Sequence, residues 1–154
     1  MQFAEMDEKK QLTKIRLTAM NLLTYREYSR YELTEKLASK FDHSPLIDQV
    51  VSHLVDDNLQ SDARFAEAFI RSRVARGQGE IRIRMELRER GIEEELVNQT
   101  IDECDIDWFA LARDTVENKY MDRYVADNRE KAKRMRFLQY RGFTYEQISY
   151  ALLK

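Results

Sequence analysis

Few groups in this chain could do covalent or metal chemistry. That work would fall to Cys104, His43 and His53. One thiol and two histidines make no zinc quartet unless carboxylates join them, and neither histidine has an identifiable triad partner. Asp105 and Asp107 could in principle hold a metal or act as a dyad. They read instead as caps for the helix that begins near Trp108. Gly77-Gln78-Gly79 superficially suggests a phosphate loop, but no strand precedes it and no lysine follows, so it reads as a turn. Without a nucleophile–base pair, metal quartet or glycine-rich cradle, the expectation is no catalytic residue, no metal, no cofactor and no enzyme.

What the chain has in quantity is charge, and it is segregated. From Arg64 to Arg90 eight arginines stand against four glutamates; from Glu93 to Asp107 there are seven acids and no base. From Arg129 to Arg141 six bases face only Glu130, although the formal net charge is only −2. Such blocks predict one positive and one negative surface, suited to binding rather than turnover.

The candidate contacts for an anionic partner are Arg82, Arg84, Arg88, Lys131, Lys133, Arg134 and Arg136. Arg82–Glu86 and Glu86–Arg90 have the spacing of solvated salt links, whereas Arg84 and Arg88 share a face with no obvious helical acid partner. Tyr140 and Tyr145 lie near the second basic run and could stack on bases of single-stranded DNA. The alternative is a solvated helix face with core tyrosines.

Helices must position these residues. Pro45 is the only proline, there are four glycines in 154 residues, and 35% of the chain is charged. Short of helix breakers and rich in Arg, Glu, Leu, Met and Ala, it favours helix almost throughout. Ser29 with Glu32 and Thr144 with Gln147 form capping boxes, Ser44-Pro45 reads as a helix start, and Gly91 and Gly142 read as left-handed C-terminal caps. Nine helices follow: Asp7–Tyr25, Arg30–Ser39, Pro45–Asp56, Asp62–Val74, Glu80–Arg90, Glu93–Glu103, Asp107–Tyr120, Arg129–Tyr140 and Tyr145–Leu152.

Ile81 to Arg88 alternates apolar and charged like a half-buried strand, but an internal repeat decides for helix. A shift of fifty places Leu33 on Ile83 and Leu37 on Leu87. A shift of fifty-one matches Leu87, Arg90, Gly91, Ile92, Val97 and Ile101 with Leu138, Arg141, Gly142, Phe143, Ile148 and Leu152. Leu46, Val51 and Val55 take the corresponding places in the first copy, and Arg134 replaces Ile83 in the third.

The expected fold is all-α, three tandem three-helix repeats at residues 1–60, 61–104 and 105–154, forming an elongated, curved array. Trp108 is expected in its core, and Cys104 buried or half-buried. Met1 to Lys10 alternates acid and base without an apolar signal core, and no stretch approaches the ~20 apolar residues of a membrane helix. A single cysteine suits a reducing compartment, so the expectation is a cytoplasmic protein without a membrane.

Three sets of motifs follow one another over nearly the whole chain. The first repeat carries Arg26-Glu27-Tyr28-Ser29, Glu32-Leu33 and Lys36-Leu37. The second carries Asp62, Arg64-Phe65-Ala66, Phe69-Ile70 and Arg73, then Gly79, Arg82-Ile83, Glu86-Leu87 and Gly91-Ile92. The third runs from Cys104-Asp105-Ile106-Asp107-Trp108 through Ala110-Leu111-Ala112-Arg113 and Lys119-Tyr120 to Lys131, Lys133, Arg136-Phe137-Leu138 and Tyr140-Arg141-Gly142. In order and spacing these motifs resemble the RecX family. Two connections depart from the family pattern: Asn58-Leu59-Gln60-Ser61-Asp62 replaces the usual Gly-Tyr-Leu-Asp-Asp, and Met121 stands where glycine is common.

The resemblance implies a regulator that binds RecA or the RecA–DNA filament, lodging in its helical groove. It further implies inhibition of the recombinase, ATPase and co-protease activities, and so a role in homologous recombination, DNA repair and the SOS response. A monomer that also touches single- or double-stranded DNA is the accompanying expectation. A RecA-independent nucleic-acid-binding module is the alternative.

Overall fold

The computed structural model describes residues 2–121 and 125–153, with side chains from residue 5 onward. Among the described residues there are nine helices and no strand: α1 (Gln2–Tyr25), α2 (Arg30–Lys40), α3 (Ile47–Asp56), α4 (Asp62–Ala75), α5 (Glu80–Glu89), α6 (Glu94–Cys104), α7 (Trp108–Tyr120), α8 (Asn128–Tyr140) and α9 (Tyr145–Ala151). No helix of the described residues is long and apolar enough to cross a membrane.

Both capping boxes form: the side chains of Ser29 and Thr144 accept from the N–H groups of Glu32 and Gln147, whose side chains accept from the cap residues in return. Asp107 caps α7 by accepting from the Ala110 N–H at 3.0 Å, while Asp105 closes α6 in the left-handed region (φ 50°) rather than capping α7. The expected start of the third helix is corrected. Asp42 and His43, both at φ 54°, spend the connection on a turn, and Pro45 precedes the helix, which opens at Ile47 with no side-chain cap.

The strand-like alternation in α5 resolves into two helical faces. Ile83 and Leu87, one turn apart, are fully buried, while Ile81 and Met85, also one turn apart, are 53% and 49% exposed. Two residue pairs at spacing four, offset by two, mimic a period of two.

The chain gathers into two compact units, one of residues up to Ala66 with Arg90–Ile92, the other of Glu67–Glu89 with the residues from Glu93 on. In the first, α1, α2 and α3 close over Ile15, Ala19, Leu33, Leu37, Val50, Val51 and Leu54. Leu46 and Val55, expected at repeat core places, are only partly buried against this cluster. In the second, α7, α8 and α9 pack around Ala112, Val116, Leu138, Phe143, Ile148 and Ala151. The paired positions Leu33/Ile83 and Leu37/Leu87/Leu138 are all fully buried, whereas Leu152, matched with the buried Ile101, is only partly buried. Trp108 is half-buried rather than core.

Gly91 and Gly142 do more than end helices. Within the first unit, a Cβ on Gly91 would lie 2.6 Å from the Tyr31 Cβ; within the second, a Cβ on Gly142 would lie 2.4 Å from the Arg82 Cβ. Tyr31 and Arg82 stand fifty-one residues apart, as do the two glycines, so one seat is built twice. Gly142 also supplies a cap. Its carbonyl accepts from the Ile81 N–H at 3.1 Å, and Arg141's accepts from the Gly79 N–H at 2.7 Å, satisfying amides at the start of α5.

The two departures from the family pattern adopt the backbone that glycine would: Asn58 sits at φ 58° and Met121 at φ 60°. Met121 is 88% exposed, so its side chain contributes little packing against that strain. Met121→Gly is therefore expected to raise the unfolding free energy by about 0.5–1 kcal/mol, read by urea denaturation. A loss of stability would contradict the left-handed assignment.

Candidate binding surface on the basic helices

The seven sequence-predicted cations divide sharply once placed. On α5, Arg82 pairs with Glu86 at 3.0 Å, as expected. The second partner of Glu86 is Arg73 of α4 at 3.2 Å, and Arg90 reaches Glu32 at 3.6 Å. Glu86 thus ties α4 to α5 from a largely buried position, and Arg82 also lies over the Tyr140 ring, 5.2 Å from its centroid.

Arg84 and Arg88 are not unpartnered, which corrects the expectation. Arg84 bonds Glu80 one turn back at 3.2 Å and the Asn98 side chain at 2.6 Å. Arg88 forms a fork on Glu94, with Nε at 2.7 Å and a terminal nitrogen at 2.9 Å. That hydrogen bond lowers the Glu94 carboxyl below its ordinary range and raises the Arg88 guanidinium. Glu80 was legible as a partner from its i,i+4 spacing, whereas Glu94 lies across the Gly91 turn and only the fold brings it within reach.

Arg134 is not on the surface. Its side chain is 8% exposed, bonded to Glu130 at 3.2 Å, and its guanidinium lies 4.6 Å from the Tyr120 ring centroid. It occupies the core place of Ile83, paired with Glu130 and lying over Tyr120.

Lys131, Lys133 and Arg136 remain exposed, and among the described residues none has a carboxylate within ion-pair distance. Lys133 lies 5.7 Å from the Tyr120 ring centroid. Spacings of four, three and four put Arg129, Lys133, Arg136 and Tyr140 on one stripe of α8, with Tyr140 74% exposed. Arg129 is not among the seven sequence-predicted cations, although this spacing is legible in the sequence. Lys131 stands off the stripe, in line with Met135 and Gln139.

The remaining chemical candidates are placed as bystanders. Cys104 is half-buried at the end of α6, and desolvation raises its thiol pKa, which favours the unreactive protonated form. Among the described residues no group of three His, Cys, Asp or Glu could hold a metal ion.

Three family models match in order along the chain: the first three-helix domain of RecX at residues 16–54, the second at 61–101 and the third at 105–152. The chain belongs to the RecX family. Similar curated proteins are each named "Regulatory protein RecX". That of Chromohalobacter salexigens is 43% identical over 87% of this chain and 88% of its own length. That of Halorhodospira halophila is 40% identical over 87% of this chain and 83% of its own. Among solved structures, RecX from Lactobacillus salivarius superposes with a TM-score of 0.72 at 22% identity, covering 94% of this chain and 96% of that one. Another structure titled as regulatory protein RecX gives a TM-score of 0.79 at 19% identity, covering 96% and 76%. Both likenesses speak for the fold: an all-α chain of RecX three-helix domains. These relatives are named as regulatory proteins.

Proposed function

We propose that this RecX-family chain binds RecA or the RecA–DNA filament and inhibits its recombinase, ATPase and co-protease activities, without chemistry of its own. The observation that carries this reading is the ordered match of all three RecX three-helix domains along one chain. Through RecA it would act in homologous recombination, DNA repair and the SOS response, as a cytoplasmic monomer. The three repeats at 1–60, 61–104 and 105–154 are the proposed domains.

The working surface we assign is the α8 stripe of Arg129, Lys133 and Arg136. Among the described residues none of its cations has a carboxylate within ion-pair distance, whereas those of α5 are held by Glu80, Glu86 and Glu94. Arg84 and Arg88 would contribute only if a partner's anion displaced those carboxylates. Phosphate contacts anchor without reading sequence, so binding along a filament is expected to ignore DNA sequence and to weaken with salt.

One observation favours a second reading, RecA-independent nucleic-acid binding: the stripe ends in an exposed tyrosine able to stack on a base. Co-sedimentation separates the two. The chain is expected to pellet with preassembled RecA filaments on single-stranded DNA and to bind the same naked DNA at least tenfold more weakly. Equal binding to both, falling steeply with salt, supports the second reading instead.

A further inference from the structure

A cleft of about 290 Å³ opens between the end of α4, the length of α7 and the end of α8. This is near the lower bound for small-ligand sites. Arg76 just past α4, Lys119 on α7 and Arg141 just past α8 line it, and Phe137 lies among them. The Arg141 guanidinium sits 5.0 Å and the Lys119 ammonium 5.8 Å from the Phe137 ring centroid, so one aromatic ring holds two of the cations.

Helix polarity explains part of this gathering, since α4, α7 and α8 end at Ala75, Tyr120 and Tyr140 and cations favour helix C-termini. It leaves most donors unused. Arg141 donates one hydrogen bond to the Arg76 carbonyl at 2.6 Å. Among the described residues no carboxylate lies within ion-pair distance of any of the three cations. Among the described lining residues Asp114 is the one acid, so three cations less one carboxylate leave two positive charges.

We infer that this cleft binds a phosphate dianion, of the kind carried by inorganic phosphate, a nucleoside monophosphate or a 5′-phosphorylated strand end. The neighbouring Gly77-Gln78-Gly79 turn takes no part through its amides. They are spent on the carbonyls of Val74 at 2.9 Å, Arg73 at 3.0 Å and Arg141 at 2.7 Å. Recognition is therefore by side-chain charge and guanidinium geometry. A phosphate monoester loses its second proton near pH ~6, so binding should strengthen between acid and neutral pH. This site is separate from the α8 stripe and does not depend on the RecA reading.

The test is an amide-resolved NMR titration of the full chain with sodium phosphate, against sodium chloride at matched ionic strength. Saturable shifts confined to residues 74–77, 114–119 and 141 are expected. Arg76→Gln and Lys119→Gln, each at an exposed position, should weaken the apparent affinity at least tenfold, and Asp114→Asn should tighten it. Charge reversal along the α8 stripe should leave it unchanged. Uridine monophosphate and a 5′-phosphorylated oligonucleotide, compared with its 5′-hydroxyl form, identify the source. Tighter binding of either names it, and equal binding of all three leaves the dianion itself as the ligand. Shifts equal in chloride, affinity unaffected by both glutamine variants, or weakening by Asp114→Asn would each overturn the inference.

Discussion

Alanine at Gly142 is expected to lower the unfolding free energy by about 2–5 kcal/mol, combining left-handed strain with overpacking. Gly142 sits at φ +97°, and the added Cβ would stand 2.4 Å from the Arg82 Cβ and 2.7 Å from its backbone nitrogen. Neither neighbour is the free end of a flexible side chain, so α5 itself must move. Moving it would also loosen the carbonyl caps at the start of α5, which Arg141 and Gly142 supply to Gly79 and Ile81. A fall in melting temperature on the order of 10 °C is the expected readout in a domain of this size. A change of less than about 0.5 kcal/mol would mean that this seat is looser than the backbone indicates.

That seat shows how far the sequence could be read. The glycine spacing and the capping boxes announced the helix ends from local chemistry alone, because a cap is a short-range device. The strand-like stretch in α5 yielded only to the internal repeat, since Ile83 and Leu87 carry the buried face while Ile81 and Met85 repeat the same spacing outside. Gly91 and Gly142 as docking seats for Tyr31 and Arg82 were not legible, because close backbone approach leaves no periodic trace. The cations followed the same division. Arg134 reads as a surface contact, although its alignment with Ile83 points to the core place it occupies. The Arg88–Glu94 fork needed the turn at Gly91 to fold two helices together. Unpaired charge is a property of three-dimensional surroundings, and a sequence shows only the pairs that share a helix.

The second large effect is expected in binding. Reversing charge at Arg129, Lys133 and Arg136 together should reduce affinity for RecA–DNA filaments by a factor of a hundred or more at low salt. Each phosphate neutralised contributes to a steep salt dependence. The same variant should melt within a few degrees of the parent, since exposed cations contribute little to folding. The contrast is Arg84→Glu with Arg88→Glu. These break bonds to Glu80, Asn98 and Glu94 and set like charges together, so they should cost stability before they cost binding. Filament binding that survives the α8 reversal but collapses in the α5 pair would move the working surface to α5.

The most direct measurement of the proposed function is ATP hydrolysis by RecA on single-stranded DNA with increasing amounts of this chain. RecA regulation predicts a progressive fall in turnover at equimolar or lower ratios, with no hydrolysis by the chain alone. The α8 reversal should shift the inhibition curve to much higher concentration. Unchanged RecA turnover with a folded, monomeric chain at a clear excess over RecA would contradict it.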